Sequence, residues 1–262
     1  MRTVLICHAG DDFDRVGLAA WLASFTELAG IVVLEETAAQ KRARVRREIH
    51  RVGWLRFLDV LAMRVYQRLA LAGRDHAFAT AALASMQARY GRVAAAKQLV
   101  VSDVNDPAVA DFLRRTAPDI VLARCKQLLK KRLIALPRIG CFVLHPGICP
   151  EYRNAHGCFW ALSQRDLERV GMTLLKVDAG VDTGPVYGYY SYAFDERSES
   201  HVVIQYRVVL ENLDRLALRL QEIAQGTAPV IDTRHRQSGA WGQPWFTRYL
   251  RWQREAARAG AR

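Results

Sequence analysis

The sequence predicts an α/β protein: a Rossmann-like, mostly parallel sheet with helices on both faces, extended by a helical insertion and a C-terminal helix. Short apolar runs of strand length alternate with helical segments along most of the 262 residues. The chain opens with a strand–helix–strand pattern, which favours parallel strands. Hydrophobic residues make up 51% and charged residues 24% of the chain, so we expect a folded globular protein rather than a disordered one.

The first elements form a βαβ unit. Thr3–His8 is an apolar run of strand length, a helical segment follows through Phe25, and Leu28–Leu34 is the second strand. We expect the first run to be a strand and not a signal peptide, because its apolar part is short and acidic residues follow at once. The turn between strand and helix contains Gly10 but no G-x-G-x-x-G motif, so a nicotinamide or flavin cofactor is not expected.

Residues from about 38 to 96 are predicted to form the helical insertion. Apolar residues recur there at steps of three and four, which is typical of one helix face, and arginines and lysines occupy the other face. The apolar positions are Val45, Ile49, Val52, Leu55, Leu58, Leu61, Val65 and Leu69. Two interpretations stay open: a hairpin packed on the sheet, which the pattern favours, and a basic lid or partner surface.

The alternation of strands and helices resumes after the insertion. The predicted strands are Gln98–Val101, Ile120–Ala123, Cys141–Leu144, Gly171–Val177 and Val186–Phe194. The last of them is rich in tyrosine and is expected to be antiparallel or at an edge. The predicted helices are Pro107–Arg115, Leu128–Leu136, Phe159–Gln164 and one long helix over Ser198–Gln225.

Residues 1–230 are therefore predicted to be the α/β domain, and residues 231–262 a basic aromatic tail. The tail interleaves arginines with Trp241, Trp245, Phe246, Tyr249 and Trp252. This combination indicates either a peripheral membrane contact or a homodimer contact. The excess of positive charge, +12 in total, is concentrated in Lys41–Arg68, in Lys126–Arg138 and in the tail. We interpret these segments either as solvated helix faces or as partner surfaces.

The cysteines indicate a reducing compartment. Their number is five, which is odd, and they are not densely spaced, so free thiols and a cytoplasmic location are expected. Cys141, Cys149 and Cys158 lie eight and nine residues apart, which is not the close pairing of a structural zinc site. We interpret them as small core side chains and expect no metal. No apolar run approaches the about 20 residues of a membrane span.

A histidine and an aspartate stand out as candidate catalytic residues. His145 follows the apolar run Cys141–Leu144, and Asp182 lies in a Gly/Asp/Pro loop after the run Gly171–Val177. Ligand crevices of α/β sheets lie outside the carboxyl ends of strands, so we expect the two side chains to converge from neighbouring strand-to-loop exits. Such a pair suits acid–base chemistry near neutral pH.

Several short motifs follow one another between Pro118 and about Tyr190. They read PDIVLARCKQLL, GCFVLHPGICPEYRN, FWAL and GMTLLKVDAGVDTGPV. In their order and spacing, these motifs resemble the folate-dependent formyltransferase family. The resemblance implies an enzyme that moves a formyl group from 10-formyltetrahydrofolate to an amine of a small-molecule or carrier-linked substrate. It also implies that His145 and Asp182 are catalytic.

The resemblance further implies where the two substrates bind. The folate would lie along two loops, with cofactor-binding residues Cys125, Lys126, Leu128, Asp178 and Val181. Tyr152 and Arg153 are predicted to bind an anionic group of the substrate, although Arg153 could instead pair with an acid of the scaffold. His156 is predicted to contact substrate, or else only to pack against Trp160. A nucleic-acid acceptor is possible because of the basic segments, but it is not favoured, because the family's tRNA enzymes carry a C-terminal β-barrel domain.

One position departs from the family pattern. Val143 stands where the family has an asparagine whose amide lies beside the formyl oxygen, and valine cannot donate a hydrogen bond. Loss of such a donor typically costs about 10²–10³ in rate. Three interpretations stay open. In the first, Asn154, Arg153 or His156 replaces the missing donor, and Asn154 is then counted as catalytic. In the second, the chemistry has moved to another acyl or one-carbon transfer, such as formyl hydrolysis. In the third, the protein only binds folate and acts as a scaffold.

Overall fold

The computed structural model describes residues 1–93 and 97–259, and within them seven strands form one sheet. In chain order the strands are β1 (Arg2–His8), β2 (Glu27–Leu34), β3 (Gln98–Val101), β4 (Ile120–Arg124), β5 (Gly140–His145), β6 (Arg153–Asn154), β7 (Met172–Lys176), β8 (Val186–Tyr190) and β9 (Ala240–Trp241). The sheet order is β3-β2-β1-β4-β5-β7-β8, and β6 pairs with β9 in a separate ribbon. Strands β1 to β5 of the sheet are parallel to one another, whereas β7 is antiparallel to both of its neighbours, β5 and β8.

Helices cover both faces of this sheet, as the sequence predicts. The α-helices of the described residues are α1 (Ala19–Phe25), α2 (Ala38–Val52), α3 (Trp54–Tyr66), α4 (Ala72–Tyr90), α5 (Pro107–Thr116), α6 (Lys131–Ile134), α7 (Gly157–Ser163), α8 (His201–Leu210), α9 (Leu213–Gln225) and α10 (Phe246–Ala259). Alternate residues of β1 face opposite sides: Leu5 belongs to the core under α1, α8 and α9, and Ile6 to the core under α5. The predicted fold class is confirmed.

Two predicted helices differ from the structure. The helix expected over Leu128–Leu136 is the single turn α6, because Asn105 holds the preceding segment extended by bonding to Leu128 O and Lys130 N at 2.9 and 2.8 Å. The long helix expected over Ser198–Gln225 is broken between α8 and α9. Asn212 interrupts it, since its side-chain amide donates to Val208 O (2.8 Å) instead of pointing to solvent.

The helical insertion exists, but the prediction of which face it buries is wrong. Gly53, with φ of 79°, divides the predicted continuous face into α2 and α3. The buried side chains of α3 are Phe57, Val60 and Met63, whereas the predicted apolar face from Leu55 to Leu69 is largely exposed. Met63 packs in a cluster with residues of α7 and α10, so α3 rests on those helices. Residues 94–96 of the predicted insertion lie outside the described part of the chain.

The aromatic tail packs inward as helix α10. Tyr249 and Trp252 are buried in the same cluster as Phe159 and Trp160 of α7. Trp241 stacks on Trp160 with 4.8 Å between ring centroids. The residues that prompted the predicted membrane or homodimer contact are therefore engaged in internal packing, and the contact itself stays a prediction.

Candidate active site

His145 and Asp182 meet at the end of β5. The imidazole Nδ1 lies 3.4 Å from Asp182 Oδ2, and the side chains of both residues are largely buried. At 3.4 Å the two groups are in close contact, but the distance is longer than that of an ordinary charge-assisted hydrogen bond. The structure therefore brings together the two residues that the motifs single out.

Asp182 reaches His145 by a route that differs from the predicted one. Strand β7 is antiparallel to β5, so the loop that follows it begins beside Cys141, where Val177 N donates to Cys141 O at 2.8 Å. The two side chains thus do not leave neighbouring strands at the same edge of the sheet. Instead, the loop from 177 to 185 folds back toward the carboxyl end of β5 before it presents Asp182 to His145.

The other imidazole nitrogen of His145 is held by the main chain. Nε2 lies 2.8 Å from the carbonyl oxygen of Tyr152. Because a carbonyl oxygen only accepts hydrogen bonds, Nε2 carries a hydrogen, and Nδ1 is the ring atom that faces Asp182. A Cβ at Gly147 would stand 2.6 Å from the same carbonyl oxygen and 3.2 Å from Nε2, so this close approach requires glycine there.

The Asp182 loop is held by the segment that follows the Tyr152 turn. Asn154 N donates to Asp182 Oδ2 at 2.9 Å, and Arg153 Nη1 donates to Val181 O at 2.8 Å. Asn154 and Asp182 both lie in the left-handed region, with φ of 77° and 52°. Such backbone strain persists where surrounding contacts enforce it, and it is concentrated here around the carboxylate.

The predicted substrate residues Tyr152 and Arg153 use their side chains within the scaffold. The Tyr152 hydroxyl donates to Asp166 Oδ2 at 2.9 Å. Besides Val181 O, the Arg153 guanidinium donates to Ser238 Oγ at 2.8 Å, so the acid expected as its scaffold partner is replaced by neutral acceptors. Their role toward substrate stays a prediction.

Asn154 and Val143 are the two positions at which the sequence raises the question of a hydrogen-bond donor that could stabilise negative charge near His145. The side-chain amide of Asn154 donates to Trp241 O, and its main-chain N–H is directed at Asp182. Val143 shares its strand face with His145 and packs against an apolar cluster that includes Cys149 and Leu175. Asn154 thus lies beside the carboxylate, with part of its donor capacity already used.

One predicted folate loop follows β4, at the end of the sheet where His145 lies, and the other is the Asp182 loop itself. Lys126 N donates to His8 Nε2 at 3.1 Å, which joins the ends of β4 and β1. Leu128 is 64% exposed, and Cys125 is half-buried with its Sγ near Gln127 O. Asp178 accepts from Thr183 Oγ1 at 2.8 Å, so it shapes the turn that precedes β8, and Val181 contacts Arg153 as described above.

Two features of the site carry no clear signal in the sequence. The Tyr152 carbonyl is a main-chain atom and so leaves no trace in residue type. Arg124, at the end of β4, pairs with Asp14 (3.0 Å) and donates to Leu144 O (2.8 Å), which fixes the strand end next to His145. The two partners are 110 residues apart in the chain, so no local pattern predicts their pairing.

The burial of three cysteines agrees with their interpretation as small core side chains. Cys141, Cys149 and Cys158 are all within 1% of full burial. In the part of the chain that the structure describes, no group of three or more His, Cys, Asp or Glu side chains is arranged to hold a metal ion. Over the same residues, no helix is both long and apolar enough to cross a bilayer.

Behind the site, His156 and His201 face each other with 6.1 Å between ring centroids. His156 begins α7 with φ of 54°, and burial lowers its pKa to about 4. His201 is fully buried, and its burial lowers its pKa to about 3. Within the described residues, neither ring nitrogen of His201 has a hydrogen-bond partner. Neither of the two predictions for His156, substrate contact or packing on Trp160, included this second histidine.

Acid should destabilise the protein through His201. Below pH 6.5 the unfolded chain binds a proton on this histidine while the folded protein does not, so stability is lost as pH falls from 6.5 toward 3. At pH 5 this amounts to about 2 kcal/mol. We expect His201→Phe to raise the free energy of unfolding at pH 5 relative to wild type, measured by urea denaturation at pH 5 and 7.5.

His76→Phe is the matched control, because it adds the same ring at an exposed position. If the wild type and His201→Phe lose stability equally between pH 7.5 and 5, then His201 is not buried in its neutral form.

Comparisons with known proteins identify the class. The model of the formyl transferase family matches residues 69–209, a span that contains His145 and Asp182. The chain therefore belongs to the formyl transferase family. Methionyl-tRNA formyltransferase of Syntrophus aciditrophicus is 37% identical over 84 residues, 32% of this chain and 27% of that protein. The enzyme of the same name from Thermotoga maritima is 28% identical over 141 residues, 49% of this chain and 45% of that protein.

Solved structures agree on the fold. Phosphoribosylglycinamide formyltransferase from Anaplasma phagocytophilum superposes with a TM-score of 0.56 at 13% identity, covering 93% of this chain and 99% of that one. A sugar N-formyltransferase from a Shewanella species gives a TM-score of 0.55 at 14% identity, covering 92% and 77%. The chain spans less than half the length of the two curated relatives above, so their whole activity does not transfer to it directly.

Proposed function

We propose that this protein transfers a formyl group from 10-formyltetrahydrofolate to an amine, with His145 and Asp182 as catalytic residues. The observation that carries the proposal is the 3.4 Å contact between His145 Nδ1 and Asp182 Oδ2, with Nε2 fixed on a carbonyl, in a chain of the formyl transferase family. The folate supplies the formyl group. The protein supplies a base and a charge partner held at a fixed distance from each other.

The hydrogen-bond pattern assigns each atom a task. Nε2 is committed to the Tyr152 carbonyl, so Nδ1 is the ring atom left to accept the proton of the attacking amine as the amine nitrogen bonds to the formyl carbon. The same proton then passes to the folate nitrogen as its bond to the formyl carbon breaks, which releases tetrahydrofolate. The imidazolium that results faces the Asp182 carboxylate, which stabilises it, and the same cation can stabilise negative charge on the formyl oxygen. The Asn154 main-chain N–H holds the carboxylate in place during this exchange.

The chain offers groups that suit a folate. Leu128 is an exposed apolar side chain on the loop after β4, where a flat ring could be covered, and Lys126 beside it is an exposed cation suited to carboxylates. Cys125 lies on one of the two predicted folate loops, and Asp178 and Val181 lie on the other, where they contribute main-chain and turn structure. The exposed side chains of Leu128 and Lys126 therefore support 10-formyltetrahydrofolate as the formyl donor.

The acceptor is proposed to be an amine on a small or carrier-linked molecule that bears negative charge. The net charge of +12 favours such a substrate electrostatically. A tRNA acceptor remains the less favoured alternative, although the curated relatives named above are methionyl-tRNA formyltransferases.

The proposal is tested by a formyl-transfer assay with 10-formyltetrahydrofolate and a panel of amines, including amino sugars, nucleotide-linked amines and aminoacyl-tRNA. We expect tetrahydrofolate release that depends on one class of amine. Release without any acceptor would identify a formyl hydrolase. Folate binding by calorimetry, with no turnover across the panel, would favour a scaffold protein that has lost catalysis.

Val143→Asn tests whether the missing donor limits the rate. If it does, the variant should transfer formyl about 10²-fold faster, since one well-placed donor is worth about 10²–10³. A stability cost of about 1–3 kcal/mol is expected because an amide enters an apolar cluster. Val143→Ala is the control, because it frees space without adding a donor. No gain in Val143→Asn, together with loss of activity in Asn154→Ala, would identify Asn154 as the substitute donor.

A further inference from the structure

Helix α3 carries an exposed apolar stripe on the side opposite to its buried face. The stripe continues into the π-helical turn Gln67–Leu71. Its members and their exposed fractions are Trp54 (69%), Leu55 (86%), Leu58 (58%), Leu61 (44%), Val65 (50%) and Leu69 (81%). They recur at steps of three and four, so they share one helix face and form a contiguous patch. A shallow groove of about 510 Å³ runs between several of them and Phe246.

The protein holds this stripe in a fixed orientation. On the inner side of α3, Asp59 accepts from Thr247 N at 2.9 Å and so fixes the start of α10. Arg56 lies over the ring of Trp245, 4.5 Å from its centroid. Met63 is fully buried against the cluster under α10. Because the inner face is anchored in this way, the six apolar side chains cannot turn inward without breaking the packing of α10.

The stripe lies in the most cationic part of the chain. Residues 41–74 contain ten Lys and Arg and only two acidic residues, a net charge of +8 out of +12. On α2, five of these cations are exposed: Lys41, Arg42, Arg46, Arg47 and Arg51. Arg68 borders the stripe itself, next to Leu69. An apolar helix face with tryptophan and leucine beside arginines is typical of helices that lie in a membrane interface.

We propose that the stripe on α3 docks this protein onto an anionic lipid bilayer, with α3 lying in the plane of the interface and the α2 cations contacting lipid phosphates. The apolar side chains supply burial in the acyl boundary, and each nearby cation adds attraction to the negative surface. A second copy of the chain fits this surface less well, because two stripes in contact would bring two segments of charge +8 together. The stripe lies N-terminal to the family match that begins at residue 69, apart from Leu69 itself, and it includes none of the residues proposed for formyl transfer.

Vesicle flotation tests the proposal with the full chain. The vesicles are phosphatidylcholine alone, or phosphatidylcholine with about one-third phosphatidylglycerol, in about 0.1 M salt. We expect binding to the anionic vesicles and at least about 10-fold weaker partitioning onto the neutral ones. The triple variant Leu55→Ser, Leu58→Ser, Leu69→Ser should lower the partition coefficient on anionic vesicles by about 100-fold. The triple variant Lys41→Gln, Arg42→Gln, Arg46→Gln should lower it by a similar factor.

Leu218→Ser is the matched control, since Leu218 is also 61% exposed but lies on α9. It should bind vesicles like the wild type. All these positions are exposed, so unfolding curves should show folded variants. The proposal is overturned if the wild type ignores anionic vesicles, if the leucine variant binds like the wild type, or if Leu218→Ser loses binding equally. It is also overturned if sedimentation shows a dimer that the leucine variant abolishes while the vesicles stay unbound, which would assign the stripe to a second copy.

Discussion

Replacement of His145 by alanine is expected to lower the rate of formyl transfer by about 10³-fold. General base catalysis by a positioned side chain is worth about 10²–10⁴, and Nδ1 of this residue is the ring atom that faces Asp182. Because His145 is only 3% exposed and bonded to Tyr152 O, we also expect the variant to lose about 1–3 kcal/mol of stability. The measurement is single-turnover formyl transfer, with an unfolding curve of the same preparation.

His145→Gln separates the two effects. Its amide can still donate to the Tyr152 carbonyl and so preserve the turn, but it offers no basic nitrogen. We expect it to be nearly as stable as the wild type and as inactive as the alanine variant. Asp182→Asn should lose activity with little change in folding. If His145→Gln retained wild-type turnover, the ring would serve only as scaffold and the proposed chemistry would be wrong.

Replacement of Trp252 by alanine is expected to cost about 3–5 kcal/mol in the free energy of unfolding, the largest single effect on stability that we predict. The indole is fully buried, and its Nε1 donates to Glu196 Oε2 at 2.9 Å. Its ring also lies edge-on to Tyr249, with 5.5 Å between centroids. The variant leaves a cavity beneath α10 and removes one of the donors of Glu196, which keeps its hydrogen bonds from Arg165. Urea denaturation at neutral pH measures the loss.

Trp54→Ala is the matched control for this variant. The same side chain is removed at a position that is 69% exposed, so the stability should change by no more than about 0.5 kcal/mol. Equal stability of Trp252→Ala and the wild type would mean that α10 does not dock on α7 and α3 as described.

The sequence predicted that His145 and Asp182 lie together, but it did not predict the path of the chain that brings them together. The motifs around His145 and Asp182 are short stretches of consecutive residues, so they can be recognised directly in the sequence. The direction of β7 depends instead on which strand it pairs with, and strand composition does not record direction. The tautomer of His145 depends on a main-chain carbonyl, so no residue type could have indicated it.

The fold class was predictable because apolar periodicity reports which residues share a face. It does not report what covers that face, and the insertion illustrates the difference. Leu58 and Val65 were expected to pack against the sheet, yet they are more than 40% exposed, and Phe57 and Val60 are buried in their place. The break at Asn212 was missed for a related reason, because its side-chain amide also donates to Ser191 O at 3.1 Å, a partner 21 residues away that no local pattern records.

The short ribbon between β6 and β9 sets a limit on how the chain can be divided. Arg153 and Asn154 pair with Ala240 and Trp241, and the same two residues brace the loop of the carboxylate. A graft of this candidate site onto another scaffold would therefore have to include residues 240–241. The segment to be transferred extends past residue 230, where the composition changes. Strand β9 pairs with β6, and Asn154 of β6 in turn holds the side chain of Asp182, which lies nearly sixty positions before β9 in the chain.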